Sequence, residues 1–323
     1  MKVAIISSAI QGSTFTSPPI SYGGLEEITA LRAKFFMENN VDVYLFALTG
    51  SKASWLSRYG GNAPHYIEEN NEYDFLKHKD VLDDVDFIID DGWTGAVSLQ
   101  YINKSIKVWH GPNAYINNPL LKQFAVSKAH ADLLFRYAGI KAGVIYNAVN
   151  PEEYPFIEDK EDYLLYMNRI DVNKGAHVFL NLCKELNTKC YMIGDDLFVE
   201  PNYSQSIIRN IPSNVEYLGR VPDKVKLDLL GHAKMLVAPL LPFYFEVFGL
   251  YAVESALMGT PLIAFRNGAL PEIAPCARFA DNYEELVKLA KTNFSSKGCR
   301  EKALKWDYRV VWKDLLNLIN KSK

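Results

Sequence analysis

The sequence predicts an α/β protein made of two doubly wound domains, and three observations support this fold class. Short apolar runs such as Val3–Ile6 and Phe87–Ile89 alternate with longer amphipathic stretches such as Leu25–Asn39, as in parallel βαβ units. The apolar runs are nearly continuous, which is typical of strands that are covered on both faces. A stretch rich in proline and charge, Pro151–Asp162, interrupts the alternation, which then restarts.

The order of the elements follows from these runs and from the turn residues between them. Ser127 is a good N-cap for a helix that continues to Tyr137. The other strands that we predict are Val41–Ala47, Lys107–Trp109, Phe124–Val126, Val144–Tyr146, Tyr163–Met167, Cys190–Ile193, Val215–Leu218, Met235–Ala238, Leu262–Phe265 and Arg278–Ala280. The other helices are Ala176–Leu186, Asp223–His232, Tyr283–Thr292 and Trp306–Ile319. We therefore predict an N-terminal domain at 1–150, a linker at 151–161, a C-terminal domain at 162–303 and a C-terminal helix at 304–323.

The composition is that of an ordinary globular protein. Of the 323 residues, 49% are hydrophobic and 23% are charged, and the net charge is −3. Nothing in this balance predicts attraction to nucleic acid or to an anionic membrane. The sequence has no apolar run of about 18 residues, so we expect no transmembrane helix. We interpret the N-terminal apolar run as a first strand rather than a signal peptide.

The four cysteines are Cys183, Cys190, Cys276 and Cys299. None forms a CxxC pair, and no histidine lies at metal-ligand spacing from any of them. We therefore expect reduced thiols in a cytoplasmic protein, with neither a zinc site nor a disulfide framework.

Gly23 and Gly24 open the first predicted helix. Glycines at a helix N-terminus allow the backbone to approach an anion closely, although a plain glycine turn explains them equally well. The sequence has no GxGxxG motif, which disfavours a dinucleotide oxidoreductase, and it has no Walker A motif.

Two cations follow the predicted strand Tyr163–Met167. Arg169 and Lys174 could both reach a diphosphate, because arginine offers a planar fork and lysine a mobile point charge. The alternative is a pair of solvated surface charges.

Two acids, Glu246 and Glu254, stand eight residues apart in an apolar segment. Buried carboxylates need partners, and the paired hydroxyls of a sugar or a ribose are suitable ones. The alternatives are an acid at a helix N-terminus and an exposed helix acid.

His110 follows an apolar strand and either contacts a sugar or is satisfied by backbone. The adjacent pair Asp90–Asp91 is a weak metal motif without a third ligand.

Seven segments, taken together and in this order, resemble the retaining glycosyltransferases of family 4 in glycosyl transferases group 1. Their spacing preserves the seven residues between Glu246 and Glu254. The segments are Pro18–Glu27, Val108–Pro112, Phe124–Leu134, Val144–Tyr154, Leu164–Gly175, Val215–Val221 and Glu246–Glu272. The resemblance implies the GT-B fold, with two Rossmann-like domains facing across a cleft and the C-terminal helix packing back toward the N-terminal domain.

The same resemblance implies a role for each candidate residue. Gly23 and Gly24 would line the site near the donor phosphates or the acceptor, and His110 would lie beside the donor sugar. Arg169 and Lys174 would hold the diphosphate. The remaining implied donor contacts are Arg220 and Val221 at the nucleobase, Glu246 with the amides of Val247, Phe248 and Gly249 at the sugar, and Glu254 at the ribose.

The activity implied by the resemblance is transfer of a hexose with retention of anomeric configuration and without a metal or other cofactor. A UDP-hexose is the expected donor, with GDP and ADP donors left open, and a glycan or glycolipid is the expected acceptor. We expect no nucleic-acid partner. Contact with the inner face of the membrane is left open. Two positions depart from the family pattern, Asn147-Ala148-Val149-Asn150 and Met167-Asn168.

The acceptor site would be formed by loops of the N-terminal domain, which we place at Thr49–Asn71 and Asn113–Leu121. Aromatic residues in this domain either stack on sugars or pack in the core, namely Tyr59, Tyr66, Trp93 and Tyr115. Two other functions remain open: a GT-B epimerase or hydrolase of sugar nucleotides, and a catalytically silent protein that binds them.

Overall fold

The computed structural model describes residues 1–20, 23–196 and 199–320. The chain forms two compact units. Unit 1 is Met1–Val149 together with the chain from Trp306 onward, and unit 2 is Asn150–Lys305. Each unit contains one parallel sheet, so the predicted pair of doubly wound α/β domains is confirmed. In the part of the chain that the structure describes, no helix is both long and apolar enough to cross a membrane.

The sheet of unit 1 has seven strands, which are β1 (Lys2–Ile6), β2 (Asp42–Leu48), β3 (His65–Glu69), β4 (Phe87–Asp90), β5 (Ser105–Val108), β6 (Lys122–Ala125) and β7 (Gly143–Val144). Their order across the sheet is β3-β2-β1-β4-β5-β6-β7. The helices between them are α1 (Gly24–Glu38), α2 (Ser51–Tyr59), α3 (Lys79–Asp84), α4 (Ala96–Gln100) and α5 (Lys128–Ala138). Short 3₁₀ turns occupy Glu72–Lys77 and Ile102–Lys104.

Strand pairing places several polar residues at one edge of this sheet. Ile6 is in register with Asp90, and Asp90 is in register with Lys107. Because the strands are parallel, the residues that follow β1, β4 and β5 emerge at the same edge. That edge therefore holds both Asp91 and His110.

The segment Thr49–Asn71, which we predicted to be a loop, contains α2 and β3. β3 is an edge strand that pairs only with β2, and none of its residues is fully buried. An edge strand of this kind lacks the continuous apolar run that marks a central strand, and this is why the sequence pattern did not reveal it.

Unit 2 has six strands, which are β8 (Glu161–Met167), β9 (Lys189–Ile193), β10 (Val215–Gly219), β11 (Ala233–Ala238), β12 (Leu262–Phe265) and β13 (Ala277–Ala280). Their order is β10-β9-β8-β11-β12-β13. The helices are α6 (Ala176–Leu186), α7 (Pro201–Arg209), α8 (Asp223–His232), α9 (Leu250–Leu257), α10 (Leu270–Ile273), α11 (Tyr283–Ala290) and α12 (Cys299–Ala303). The 3₁₀ turns are Pro151–Glu153, Val172–Lys174 and Leu304–Trp306.

The segment that we predicted as a linker, 151–161, is part of unit 2 and packs against its helices. The amide of Ile157 donates to the carbonyl oxygen of Met258 at 3.2 Å. The ammonium of Lys160 donates to the carbonyl oxygens of Gly231 at 2.5 Å and Met258 at 3.1 Å. These bonds attach the segment to the C-terminal ends of α8 and α9.

The C-terminal segment, α13 (Tyr308–Val311) and α14 (Lys313–Asn320), packs on unit 1. The rings of Tyr308 and Trp312 lie 6.2 and 5.9 Å from the ring of Phe35 on α1. The indole of Trp312 donates to the carbonyl oxygen of Tyr146 at 2.9 Å. The predicted return of this segment to the N-terminal domain is therefore observed.

The expectation of reduced thiols is wrong. Cys183 is bonded to Cys190, and Cys276 to Cys299, and the described residues include no free cysteine. Cys183 lies on α6 and Cys190 on β9, so the pairing depends on how the helix packs on the sheet. The sequence spacing could not show this. The cysteines consequently give no support to a cytoplasmic location.

Candidate functional site

The loop after β8 in unit 2 carries the two predicted diphosphate cations, Arg169 and Lys174. Its backbone is held from within, because the Tyr166 hydroxyl donates to the Arg169 carbonyl oxygen at 2.7 Å. Gly175 ends the loop with φ +70°, and a Cβ there would lie 1.9 Å from the carbonyl oxygen of Pro239. Only glycine satisfies both constraints, so the loops after β8 and β11 are in direct backbone contact.

Lys174 and Glu246 form a buried ion pair at this contact. Lys174 Nζ lies 2.9 Å from Glu246 Oε2, and the two residues are 6% and 7% exposed. The ammonium also lies 4.0 Å from the centroid of the Tyr244 ring. Burial alone would lower the pKa of Lys174, but Glu246 and Tyr244 reverse this and raise the pKa above its ordinary value. Lys174 is therefore a permanent cation.

The backbone of Glu246 is fixed by Asn267, a residue that the sequence did not single out. The amide of Glu246 donates to Asn267 Oδ1 at 2.9 Å. The side-chain amide of Asn267 donates in turn to the carbonyl oxygens of Leu241 at 3.1 Å and Tyr244 at 2.8 Å. One buried side chain thus holds the loop between β11 and α9 in shape. Val247, Phe248 and Gly249 complete this loop and are buried.

Several buried donors near this pair lack hydrogen-bond partners among the described residues. They include Arg169 Nε and the Asn168 side-chain nitrogen. The Arg169 guanidinium also lies 3.9 Å from Asp171, which is too long for a strong bond. Native proteins seldom leave buried donors unsatisfied, so this loop is suited to an added ligand that accepts hydrogen bonds.

Glu254 lies on α9 and has different partners from Glu246. Its Oε1 accepts from the Tyr154 hydroxyl at 3.0 Å, and its Oε2 lies 3.9 Å from Lys226 Nζ. Arg220 follows β10 at the same sheet edge, and its Nε lies 3.6 Å from Asp195. Val221, the next residue, is half-buried. The structure thus assigns the two glutamates to separate polar groups.

In unit 1, Gly23 precedes α1 and Gly24 is its first residue. Gly23 has φ +149°, and a Cβ there would lie 2.7 Å from Glu26 Oε2. The Glu26 carboxylate accepts from the Ser8 hydroxyl. Burial raises the pKa of Glu26 from 4.5 to about 7, against the opposing effect of Ser8. The glycine turn is therefore packed against a buried carboxyl.

His110 in unit 1 belongs to a buried charged group with Asp91 and Arg32. His110 Nε2 lies 2.7 Å from Asp91 Oδ1, and the Arg32 guanidinium contacts both oxygens of Asp91. Asp90 has its own cation, Lys107, at 3.5 Å. The adjacent aspartates are therefore each paired with a cation, and no group of three or more potential metal ligands occurs within residues 1–20, 23–196 and 199–320.

A surface cavity of about 690 Å³ lies elsewhere on unit 2. Its lining includes Val178 and Lys184 on α6, with Phe265 and Tyr283. It contains none of the candidate residues, whereas the loop after β8 combines the buried cation Lys174 with the unsatisfied donor Arg169 Nε. Size alone therefore does not mark the functional site of this unit.

Comparison with known proteins finds a family that part of the chain resembles. Residues 152–277 match the family model described as glycosyl transferases group 1. This part of the chain is similar to glycosyl transferases group 1. The matched residues, 152–277, include all the candidate residues of unit 2, among them Arg169, Lys174, Glu246 and Glu254.

Similar sequences and solved structures extend the comparison. The uncharacterized glycosyltransferase MJ1178 of Methanocaldococcus jannaschii is 29% identical over 152 residues, covering 47% of this chain and 42% of its own. The chain spans about two fifths of the length of the curated relatives it matches. AviGT4, a glycosyltransferase involved in avilamycin A biosynthesis, superposes with a TM-score of 0.78 at 23% identity, covering 99% of this chain and 97% of its own. Anabaena Alr3699/HepE superposes with a TM-score of 0.73 at 16% identity, covering 99% of this chain and 100% of its own. The fold is GT-B.

Sequence reasoning missed the partners of several candidate residues. Tyr154 lies in the predicted linker, Tyr244 and Tyr251 flank Glu246, and Asp91 was considered only as half of a metal pair. The unexplained polar residues were visible in the sequence, but their partners depend on which strands are neighbours. No spacing rule gives that information.

Proposed function

We propose that the protein is a retaining glycosyltransferase of family 4 that transfers a hexose from a nucleoside diphosphate sugar, most simply UDP-hexose, to a glycan or glycolipid. One observation carries the proposal: the buried Lys174–Glu246 pair beside Arg169, whose Nε lacks a partner among the described residues. A cation and a carboxylate fixed side by side match a donor that presents a diphosphate next to sugar hydroxyls.

The cations have a chemical task in this reaction. When the bond between the sugar and the diphosphate breaks, negative charge develops on the leaving phosphate. Lys174 and Arg169 would stabilise this charge, and because Glu246 holds Lys174 in place beforehand, the lysine needs little reorganisation. We expect no metal requirement, since two protein cations take the place that a divalent ion fills in other enzymes.

The carboxylates are assigned to hydroxyls of the donor. Glu246 would accept hydrogen bonds from the transferred sugar, and Glu254 from the ribose diol, with Arg220 and Val221 near the base. In unit 1, His110 would contact the donor sugar, and Gly23 and Gly24 would lie near the donor phosphates or the acceptor. Anabaena HepE, which has the same fold, is described in complex with UDP-glucose. No protein nucleophile is proposed, so retention would follow a front-face path in which the leaving phosphate accepts the acceptor proton.

The acceptor and the membrane contact rest on the resemblance alone, and the disulfides give no support to the cytoplasmic location. A glycan or glycolipid acceptor, a cytoplasmic location and contact with the inner face of the membrane remain parts of this proposal. A fractionation experiment that follows the protein between cytosol and membrane, with and without high salt, tests the last two.

The proposal is tested by incubating the protein with UDP-, GDP- and ADP-hexoses and an extract of glycolipids and glycans. A new glycoside supports it, and turnover that persists in EDTA supports the absence of a metal. An altered free sugar nucleotide indicates the alternative epimerase or hydrolase. Binding without turnover, measured by thermal shift, indicates a silent binding protein.

A further inference from the structure

The His110 imidazole lies in a buried environment whose charges balance. Arg32 on α1 and Lys107 on β5 supply two positive charges, and Asp90 and Asp91 supply two negative charges. A further titratable neighbour is His130 on α5, whose pKa burial lowers to about 4. A proton on His110 would leave this buried group with a net charge, and burial accordingly lowers the pKa of His110 even though Asp91 opposes the shift.

The contact with Asp91 distinguishes the two ring nitrogens. Asp91 is ionised, because Arg32 and His110 hold its pKa below the usual range despite its burial. An ionised carboxylate only accepts, so Nε2 of His110 must carry the proton in their 2.7 Å hydrogen bond. Nδ1 of the neutral ring is then an acceptor, and it makes no hydrogen bond to any residue that the structure describes.

We propose that Asp91 is a positioning residue that fixes His110 as the neutral Nε2–H tautomer, leaving Nδ1 to accept a hydrogen bond from a hydroxyl of the bound sugar. Arg32 holds Asp91 through both carboxylate oxygens, and its guanidinium lies 5.1 Å from the Trp312 ring centroid. The sugar as ligand rests on the proposed function, whereas the tautomer does not.

The tautomer can be measured without substrate. In long-range ¹H–¹⁵N spectra of the full chain, we expect His110 to show the neutral Nε2–H pattern at pH 7. A His110→Gln spectrum assigns the signal among the six histidines. An Nδ1–H tautomer or a charged ring in the wild type overturns the inference.

Kinetics test the role in transfer. We expect Asp91→Asn to lower kcat by about tenfold or more, with a smaller effect on the donor KM, because the asparagine no longer fixes the tautomer. If Asp91 acts through His110, the double variant Asp91→Asn/His110→Gln is no slower than His110→Gln alone. Multiplicative losses overturn the inference.

Two controls keep these outcomes distinct. Asp91→Asn leaves Arg32 without its ionic partner, so Asp91→Asn/Arg32→Met removes both charges if the single variant does not fold. In this double variant, too, we expect His110 to lose its fixed Nε2–H tautomer. Failure of the wild type to bind or turn over any sugar nucleotide contradicts the proposed function, while the spectra continue to test the role of Asp91.

Discussion

Lys174 and Glu246 are 72 residues apart in the sequence, yet their side chains form a buried ion pair of 2.9 Å. Two loops that follow neighbouring parallel strands, β8 and β11, bring them together. The arrangement places a permanent cation at the sheet edge where α/β folds bind ligands. The effect of this arrangement on stability and its role in ligand binding can be measured separately.

Breaking this pair should destabilise the protein more than removing it. We expect Lys174→Met or Glu246→Gln to lower the free energy of unfolding by about 3 kcal/mol or more, because each leaves a buried charge uncompensated. The double variant should lose less than the sum of the two. Urea unfolding measures all three, and strictly additive losses would contradict the role of the pair.

Arg169 should contribute strongly to binding of the diphosphate and little to the stability of the fold. We expect Arg169→Ala to abolish transfer and weaken binding of UDP, while binding of uridine and the free energy of unfolding change little. Calorimetry with the two ligands separates the effects. Arg266→Ala is the matched control, since Arg266 is an exposed arginine of the same unit, 3.5 Å from Asp281. Near-normal turnover of Arg169→Ala would refute the assignment.

Glu254 should recognise the ribose. A lost hydrogen bond to a charged acceptor costs roughly 1.5–3 kcal/mol, so we expect Glu254→Gln to weaken UDP binding about tenfold or more. The loss should be smaller for 2′-deoxy-UDP, which offers one hydroxyl fewer. Tyr154→Phe, which removes only the phenol that bonds Glu254, is the milder control. Equal losses for the two nucleotides would argue against contact with the 2′-hydroxyl.

Glu26 should make stability depend on pH. Its pKa is raised from 4.5 to about 7, so the folded state binds a proton that the unfolded state releases, and stability is lost as pH rises through that window. At pH 8 we expect Glu26→Gln to be more stable than the wild type by up to roughly 3 kcal/mol, and the difference should vanish near pH 4.5. His130, with its lowered pKa, acts in the opposite direction in both proteins. Urea unfolding across this range checks the prediction, which fails if the difference does not vary with pH.

The fold was largely predictable because buried parallel strands have a continuous apolar pattern. Val3–Ile6 and Tyr163–Met167 were recognised in this way, and both are central strands. β3 was not, because an edge strand with the sequence HYIEE has no such pattern. The disulfides were missed because each joins residues of neighbouring elements, and neighbourhood in space is set by packing.

The candidate site was predictable as a set of residues but not as a network. The acids and cations stood out because apolar segments and strand exits seldom hold charge without a reason. The bond between Lys174 and Glu246 depends on β8 and β11 being adjacent. Likewise, the contact of Asp91 with His110 requires β4 beside β5. Sequence order alone does not specify these adjacencies.

The C-terminal segment has a consequence for how the protein is made. The chain leaves unit 1 at Val149 and rejoins it at Trp306, where the Val149 amide donates to the Trp306 carbonyl oxygen at 3.0 Å. During translation, unit 2 is therefore synthesised in full before Trp312 exists to cover Arg32. Unit 1, although begun first, is therefore completed after unit 2.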